Sequence, residues 1–151
     1  MNEEARERAL RLLDKRDYSR KMLLDKLTEK GVAPADAEEV TDWLCSLGVV
    51  DDVRYAGLVV RHYAAKGYGE RRIRDELYRR GVPRDLWQEA MDQAENPAQS
   101  IDAFVAKKLA GKTADRQTLK KVSDALARRG YHWPDINDAL RRYGAETEEE
   151  F

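Results

Sequence analysis

The sequence predicts an all-α fold: an elongated, curved array of three tandem three-helix repeats. Two observations carry this expectation. The first is a repeat: Gly31, Gly81 and Gly130 stand about fifty residues apart, near the period of helical-repeat proteins. Four residues before each glycine is a leucine (Leu27, Leu77, Leu126), and eight before is Leu23, Ile73 or Val122. Twelve before is Ser19, Gly69 or Thr118, each a competent N-cap. The second observation is compositional. Charged residues make up 38% of the chain, and no β-branched alternation is long enough for a sheet. One repeat is too small to enclose a core alone, so neighbours must share apolar faces, and an arc follows more naturally than a ball.

Each element has a local reason. In the first repeat, residues 4–50, a helix from about Glu4 to Arg16 carries Ala9, Leu10, Leu12 and Leu13 as its apolar set. Ser19 caps a second helix that buries Leu23, Leu24 and Leu27 and stops at Gly31. Pro34 opens a third, with Val40, Leu44 and Leu47 as its stripe, ended by Gly48. The second repeat, 51–96, begins with Asp51 as N-cap of a helix whose Tyr55, Leu58, Val59 and Tyr63 face inward. Gly67 closes that helix, Gly69 opens the next, and Gly81 ends it in a left-handed conformation. A helix from Pro83 to about Ala94 completes the repeat, and Asn96-Pro97-Ala98 reads as a break. In the third repeat, 100–143, the first helix ends near Gly111, Thr118 caps the second, and Pro134 follows Gly130 as Pro34 and Pro83 follow their glycines. An acidic tail, 144–151, is expected to be disordered.

Formal charge is nearly balanced, but its distribution is not. The ends are acidic, whereas the segment from Arg54 to Arg84 and the third repeat are rich in Lys and Arg. In the helix after Gly69, Ile73 and Leu77 form a narrow buried stripe beneath a crowd of arginines. Exposed i,i+4 pairs such as Arg71–Asp75, Arg72–Glu76 and Asp75–Arg79 contribute only about 0.3–0.5 kcal/mol each, too little to explain so much arginine. The candidate surface for an anionic partner or nucleic acid is therefore Arg61, Lys66, Tyr68, Arg71, Arg72, Arg74, Arg79, Arg80, Lys107, Lys108, Lys120 and Lys121. Tyr18 and Tyr68 stand at helix junctions, where a ring plugs the gap between helices; base stacking is the competing role.

No catalytic constellation is legible. His62 and His132 belong to different repeats and have no metal-type partner at i+4. Gly67-Tyr68-Gly69 lacks the remaining glycine and the preceding strand of a phosphate-binding loop. Asp51-Asp52 reads as a cap and a first-turn acid rather than a metal pair. Cys45 is the only cysteine and is expected to be a small buried residue beside Trp43 and Leu44. The expectations are no catalytic residue, metal or cofactor, no membrane span, and a cytoplasmic monomer.

Several stretches resemble the RecX family of bacterial regulatory proteins. They are Ala9-Leu10-Arg11-Leu12-Leu13 with Arg16-Asp17-Tyr18-Ser19, and Gly48-Val49-Val50-Asp51-Asp52 with Arg54-Tyr55-Ala56. Lys66-Gly67-Tyr68-Gly69, with Arg72-Ile73-Arg74 and Glu76-Leu77, is the most specific. The resemblance implies three tandem three-helix repeats in a curved array. It implies a non-enzymatic modulator lodged in the groove of the RecA filament on single-stranded DNA. In the family this lowers recombinase, ATPase and co-protease activity by blocking filament growth or promoting disassembly. Direct contact with single- or double-stranded DNA is a further expectation. The alternative is a general single-stranded nucleic-acid-binding helical repeat, and a third reading is a scaffold for some other protein.

Overall fold

The structure, a computed structural model, describes residues 1–94 and 97–149. Among the described residues the fold is all-helical: α1 Glu3–Lys15, α2 Arg20–Glu29, α3 Pro34–Ser46, α4 Asp52–Ala65, α5 Glu70–Arg79, α6 Trp87–Asp92, α7 Pro97–Leu109, α8 Arg116–Arg128 and α9 Trp133–Glu149. None of them is long and apolar enough to cross a membrane. The chain divides into two compact units. One comprises Met1–Leu58 with Glu76–Ala90, the other Val59–Asp75 with the chain from Met91 onward.

In the first unit α1, α2 and α3 pack on one another in all three pairings. Their core is Ala5, Ala9, Leu12, Tyr18, Leu23, Leu27, Ala37, Val40, Leu44 and Val50. Each helix starts where its residues dictate. The Asn2 side chain accepts from the Ala5 N–H (3.0 Å), Ser19 Oγ accepts from the Met22 N–H (3.2 Å), and Pro34 occupies the first turn of α3. Asp51 caps α4 as expected, accepting from the Val53 and Arg54 N–H groups at 3.0 and 3.2 Å. Its neighbour Asp52 does more than sit in a first turn: its carboxylate accepts the Arg20 N–H (2.8 Å) and so caps α2 from across the unit.

Three expected inward residues face out instead. Leu10 is 41% exposed, and the buried stripe of α1 is Ala5, Ala9 and Leu12. Leu58 is 38% exposed, while Tyr55 and Val59 are buried as expected, and Ala56 and Val60 join them on the inward face of α4. Leu47 likewise is exposed, at the C-cap of α3. Cys45 is half-buried rather than buried, and that burial raises its thiol pKa against the opposing influence of Arg20. The expected single helix from Pro83 divides into a 3-10 turn, Arg84–Leu86, and then α6. Trp87, the first residue of α6, donates its indole N–H to the carbonyl of Val82, which precedes the 3-10 turn (2.9 Å).

In the second unit α7, α8 and α9 pack in the same three pairings around Ile101, Val105, Leu109, Val122, Leu126, Tyr131, Ile136 and Ala139. Both carboxylate oxygens of Asp102 on α7 accept from Arg142 on α9 (2.7–3.1 Å), which raises the Arg142 pKa. Thr118 is not the cap of α8. The helix begins one turn earlier at Asp115, whose carboxylate accepts the Thr118 N–H at 2.7 Å. Asn96, in the expected break, lies outside the described residues, and Pro97 opens α7. The last helix continues to Glu149, beyond Gly144 where the acidic tail was placed.

Candidate binding surface

The centre of the candidate surface is the start of α5, held by backbone rather than by charge. In the second unit, the Gly69 N–H donates to the Arg129 carbonyl (2.8 Å) and the Arg71 N–H to the Gly130 carbonyl (3.0 Å). The Arg71 guanidinium adds a bond to the Ala127 carbonyl (3.1 Å) at the end of α8. The positive N-terminus of one helix thus meets the negative C-terminus of another, and the uncapped groups of both ends satisfy each other.

Arg129 fastens the same turn from the other side. Its guanidinium donates to the Lys66 carbonyl (3.0 Å) and lies over two rings, 5.4 Å from Tyr68 and 4.8 Å from Phe104. The Tyr131 hydroxyl donates to the Gly67 carbonyl (3.0 Å), and burial raises the Tyr131 pKa, with Arg129 opposing. Arg72, half-buried, also lies over Tyr68 at 5.0 Å, and Tyr63 meets the Tyr68 ring edge-on at 5.7 Å. Tyr68 is therefore engaged within the protein, and Arg72 is engaged with it.

The remaining candidates divide by exposure. On α5, Arg74 pairs with Glu70 (2.8 Å), whose other oxygen lies 3.8 Å from His132 Nε2. Arg61 and Lys66 are exposed, as are Lys107 and Lys108 in the last turn of α7 and Lys120 and Lys121 on α8. In the first unit, Arg79 is exposed and 3.4 Å from the buried carboxylate of Glu76. Arg80 is half-buried, reaching Glu76 (3.3 Å) and the Tyr55 hydroxyl (2.9 Å). The pairs seen on α5 thus include i,i+3 and i,i+4 contacts centred on Glu70 and Glu76.

The second unit holds a clear excess of positive charge. Up to Gly144 it contains fifteen Lys and Arg against nine Asp and Glu, a difference of six. Exposed Lys112, Arg116 and Arg128 belong to this excess although the candidate set omits them. Sequence reasoning missed Arg129 for a different reason. Its offset before Gly130 matches that of Arg80 before Gly81, but nothing local indicates two rings and a carbonyl from distant segments. Among the described residues, no group of three or more His, Cys, Asp or Glu side chains could hold a metal ion. What the surface offers chemically is several exposed ammonium and guanidinium groups on rigid helices, suited to anions.

Residues 5–44 match the family model for the first three-helix domain of RecX, and residues 51–91 that for the second. The Regulatory protein RecX of Vibrio parahaemolyticus is 36% identical over 143 residues, covering 90% of this chain and 89% of that one. That of Xanthomonas campestris pv. campestris is 36% identical over 140 residues, covering 89% and 85%. The crystal structure of RecX from Lactobacillus salivarius superposes with a TM-score of 0.82 at 18% identity, covering 93% of this chain and 94% of the other. That last likeness is one of fold.

Proposed function

The chain belongs to the RecX family of regulatory proteins, and we propose on that basis that it regulates RecA by binding the groove of RecA–single-stranded DNA filaments. Bound there, it blocks filament growth or promotes disassembly and lowers recombinase, ATPase and co-protease activity. Family membership carries the reading. The exposed cations of the second unit support it, because a filament on DNA presents phosphates and acidic surfaces, and displacing their counterions drives association. The protein acts by occupancy in the cytoplasm, as a monomer, without catalytic residues or cofactor.

Within the candidate set, Arg61, Lys66, Lys107, Lys108, Lys120 and Lys121 are the residues expected to meet the partner. Arg72, Arg80 and Tyr68 act indirectly, by shaping the helices that present them. The test is ATP turnover by preformed RecA filaments titrated with substoichiometric protein. The expected result is a dose-dependent fall, blunted at least tenfold in the Lys107→Gln, Lys108→Gln, Lys120→Gln, Lys121→Gln variant with unchanged melting. No effect of the unmodified protein on RecA at any dose rejects the reading. Affinity for naked single-stranded DNA equal to that for filaments favours a general nucleic-acid-binding repeat instead.

A further inference from the structure

The contact at the start of α5 occurs in a second version. In the first unit, the Ser19 hydroxyl at the start of α2 donates to the Arg80 carbonyl, and the Lys21 stem lies against Gly81, within 3.0 Å of where a Cβ would stand. In the second unit, Gly69 at the start of α5 donates to the Arg129 carbonyl, and Arg72 backs onto Gly130. Ser19 and Gly69 share one repeat offset, as do Arg80 and Arg129, and Gly81 and Gly130. So in both units a small cap residue, followed two positions later by a cation (Lys21 or Arg71), seats on the glycine that ends another helix.

The remaining glycine at this offset is Gly31, with φ +94°. Beyond its two chain neighbours, no described atom lies within 4 Å of a Cβ built there, and Gly31 is exposed at the edge of a cleft of about 320 Å³ lined by Glu4, Arg8, Lys30, Ala33 and Asp36. The carbonyl corresponding to those of Arg80 and Arg129 belongs to Lys30, and Arg8 donates to it at 2.6 Å. Arg8 thus occupies the acceptor that a helix start occupies in the other two repeats.

We infer that the cleft at Gly31 is a docking notch for the first turn of a helix on another protein, one with Ser or Gly at the cap and Lys or Arg two residues later. The chemistry follows most closely the contact at Gly69, where an N–H meets the Arg129 carbonyl and the Arg71 guanidinium bonds the Ala127 carbonyl; at Ser19 the cap hydroxyl meets the Arg80 carbonyl instead. Uncapped N–H groups meet the Lys30 carbonyl, and the cation meets the negative end of the α2 dipole. A second copy of this chain is a poorer occupant. Its Ser19 and Gly69 are already seated, and its α8 begins a turn before Thr118, so the small cap is missing from the matching place. The inference stands on this geometry apart from the RecA reading.

The test uses the full, isotope-labelled chain titrated with a lactam-bridged helical peptide copying residues 67–80, with amide shifts as readout. Saturable shifts at Lys30, Gly31 and Val32 are expected. Ala33→Trp, which fills the cleft from an exposed position, should weaken binding at least tenfold, and Arg8→Ala, which frees the Lys30 carbonyl, should tighten it severalfold. Absence of saturable shifts at those amides overturns the inference, as does equal affinity in all three proteins. Shifts at Gly31 that grow with chain concentration alone overturn the choice of occupant in favour of self-association. Filament inhibition, measured separately, moves with neither outcome unless the occupant is RecA.

Discussion

A methyl group added at Gly69 would stand 2.6 Å from the carbonyl carbon of Gly130 and from the Tyr131 nitrogen, both backbone atoms that cannot swing aside. Gly69 has no positive φ, so its glycine serves close approach of two chain segments. Gly31 has φ +94° and open space, so within the chain itself its glycine answers a conformational demand and no close approach. Gly130 meets both demands, with φ +96° and Arg72 Cβ 2.7 Å from an added methyl. We therefore expect Gly31→Ala to cost about 1 kcal/mol through backbone strain. Gly69→Ala should cost about 1–3 kcal/mol through overpacking, and Gly130→Ala more than either. Denaturant midpoints of the three variants check the order. Ser19 is fully buried, caps α2 and also bonds the Arg80 carbonyl. Ser19→Ala should then exceed the loss of about 1 kcal/mol typical of a cap alone, measured by the same unfolding. Most of these residues are recognisable as glycines and caps from their spacing. That Gly69 answers to Gly130 is not, because the two are joined only by folding.

At the scale of the helix, α8 shows how one acid resets an element. Asp115 stands three residues before the aligned Thr118 and takes the cap, lengthening α8 by a turn. Its carboxyl pKa is held below the ordinary range, first by the backbone N–H of Thr118 and then by its hydroxyl. A folded pKa below the unfolded one stabilises above the unfolded value and is lost as pH falls through the folded value. The first turn of α8 should therefore loosen only in acid, below the usual carboxylate range. Protection of the Gln117 and Thr118 amides from hydrogen exchange, relative to the intrinsic rate at each pH, should fall there, and in Asp115→Ala it should be low at every pH. Elsewhere the helix starts follow their local residues closely, as Ser19, Pro34 and Asp51 do, because a cap acts over one turn. The outward placement of Leu58 on α4 and the broken third helix of the second repeat depend on neighbours, and spacing alone does not reveal them.

Over the whole molecule, charge is partitioned between the two units. The first holds sixteen Asp and Glu against thirteen Lys and Arg, while the second is basic up to Gly144. A partner bound through the second unit's cations should release counterions. Raising salt from about 50 to about 200 mM should then weaken filament binding by at least tenfold, and the quadruple lysine-to-glutamine variant should show a shallower salt slope. Fluorescence anisotropy of labelled filaments measures both.

The residues by themselves determined the repeat. Leu27, Leu77 and Leu126 are fully buried, as the offset from the three glycines requires, and those glycines are left-handed. Helical spacing, caps and backbone freedom act within a turn or two, so they are present in the order of residues. Only the tertiary structure decided which basic groups remain exposed for a partner. Lys107 and Lys120 look outward, whereas Arg129 bonds the carbonyl of Lys66, 63 residues away in the chain, and Arg72 lies over Tyr68. A guanidinium is equally suited to a phosphate, a carbonyl or an aromatic ring. Its choice depends on what the folded chain brings within reach.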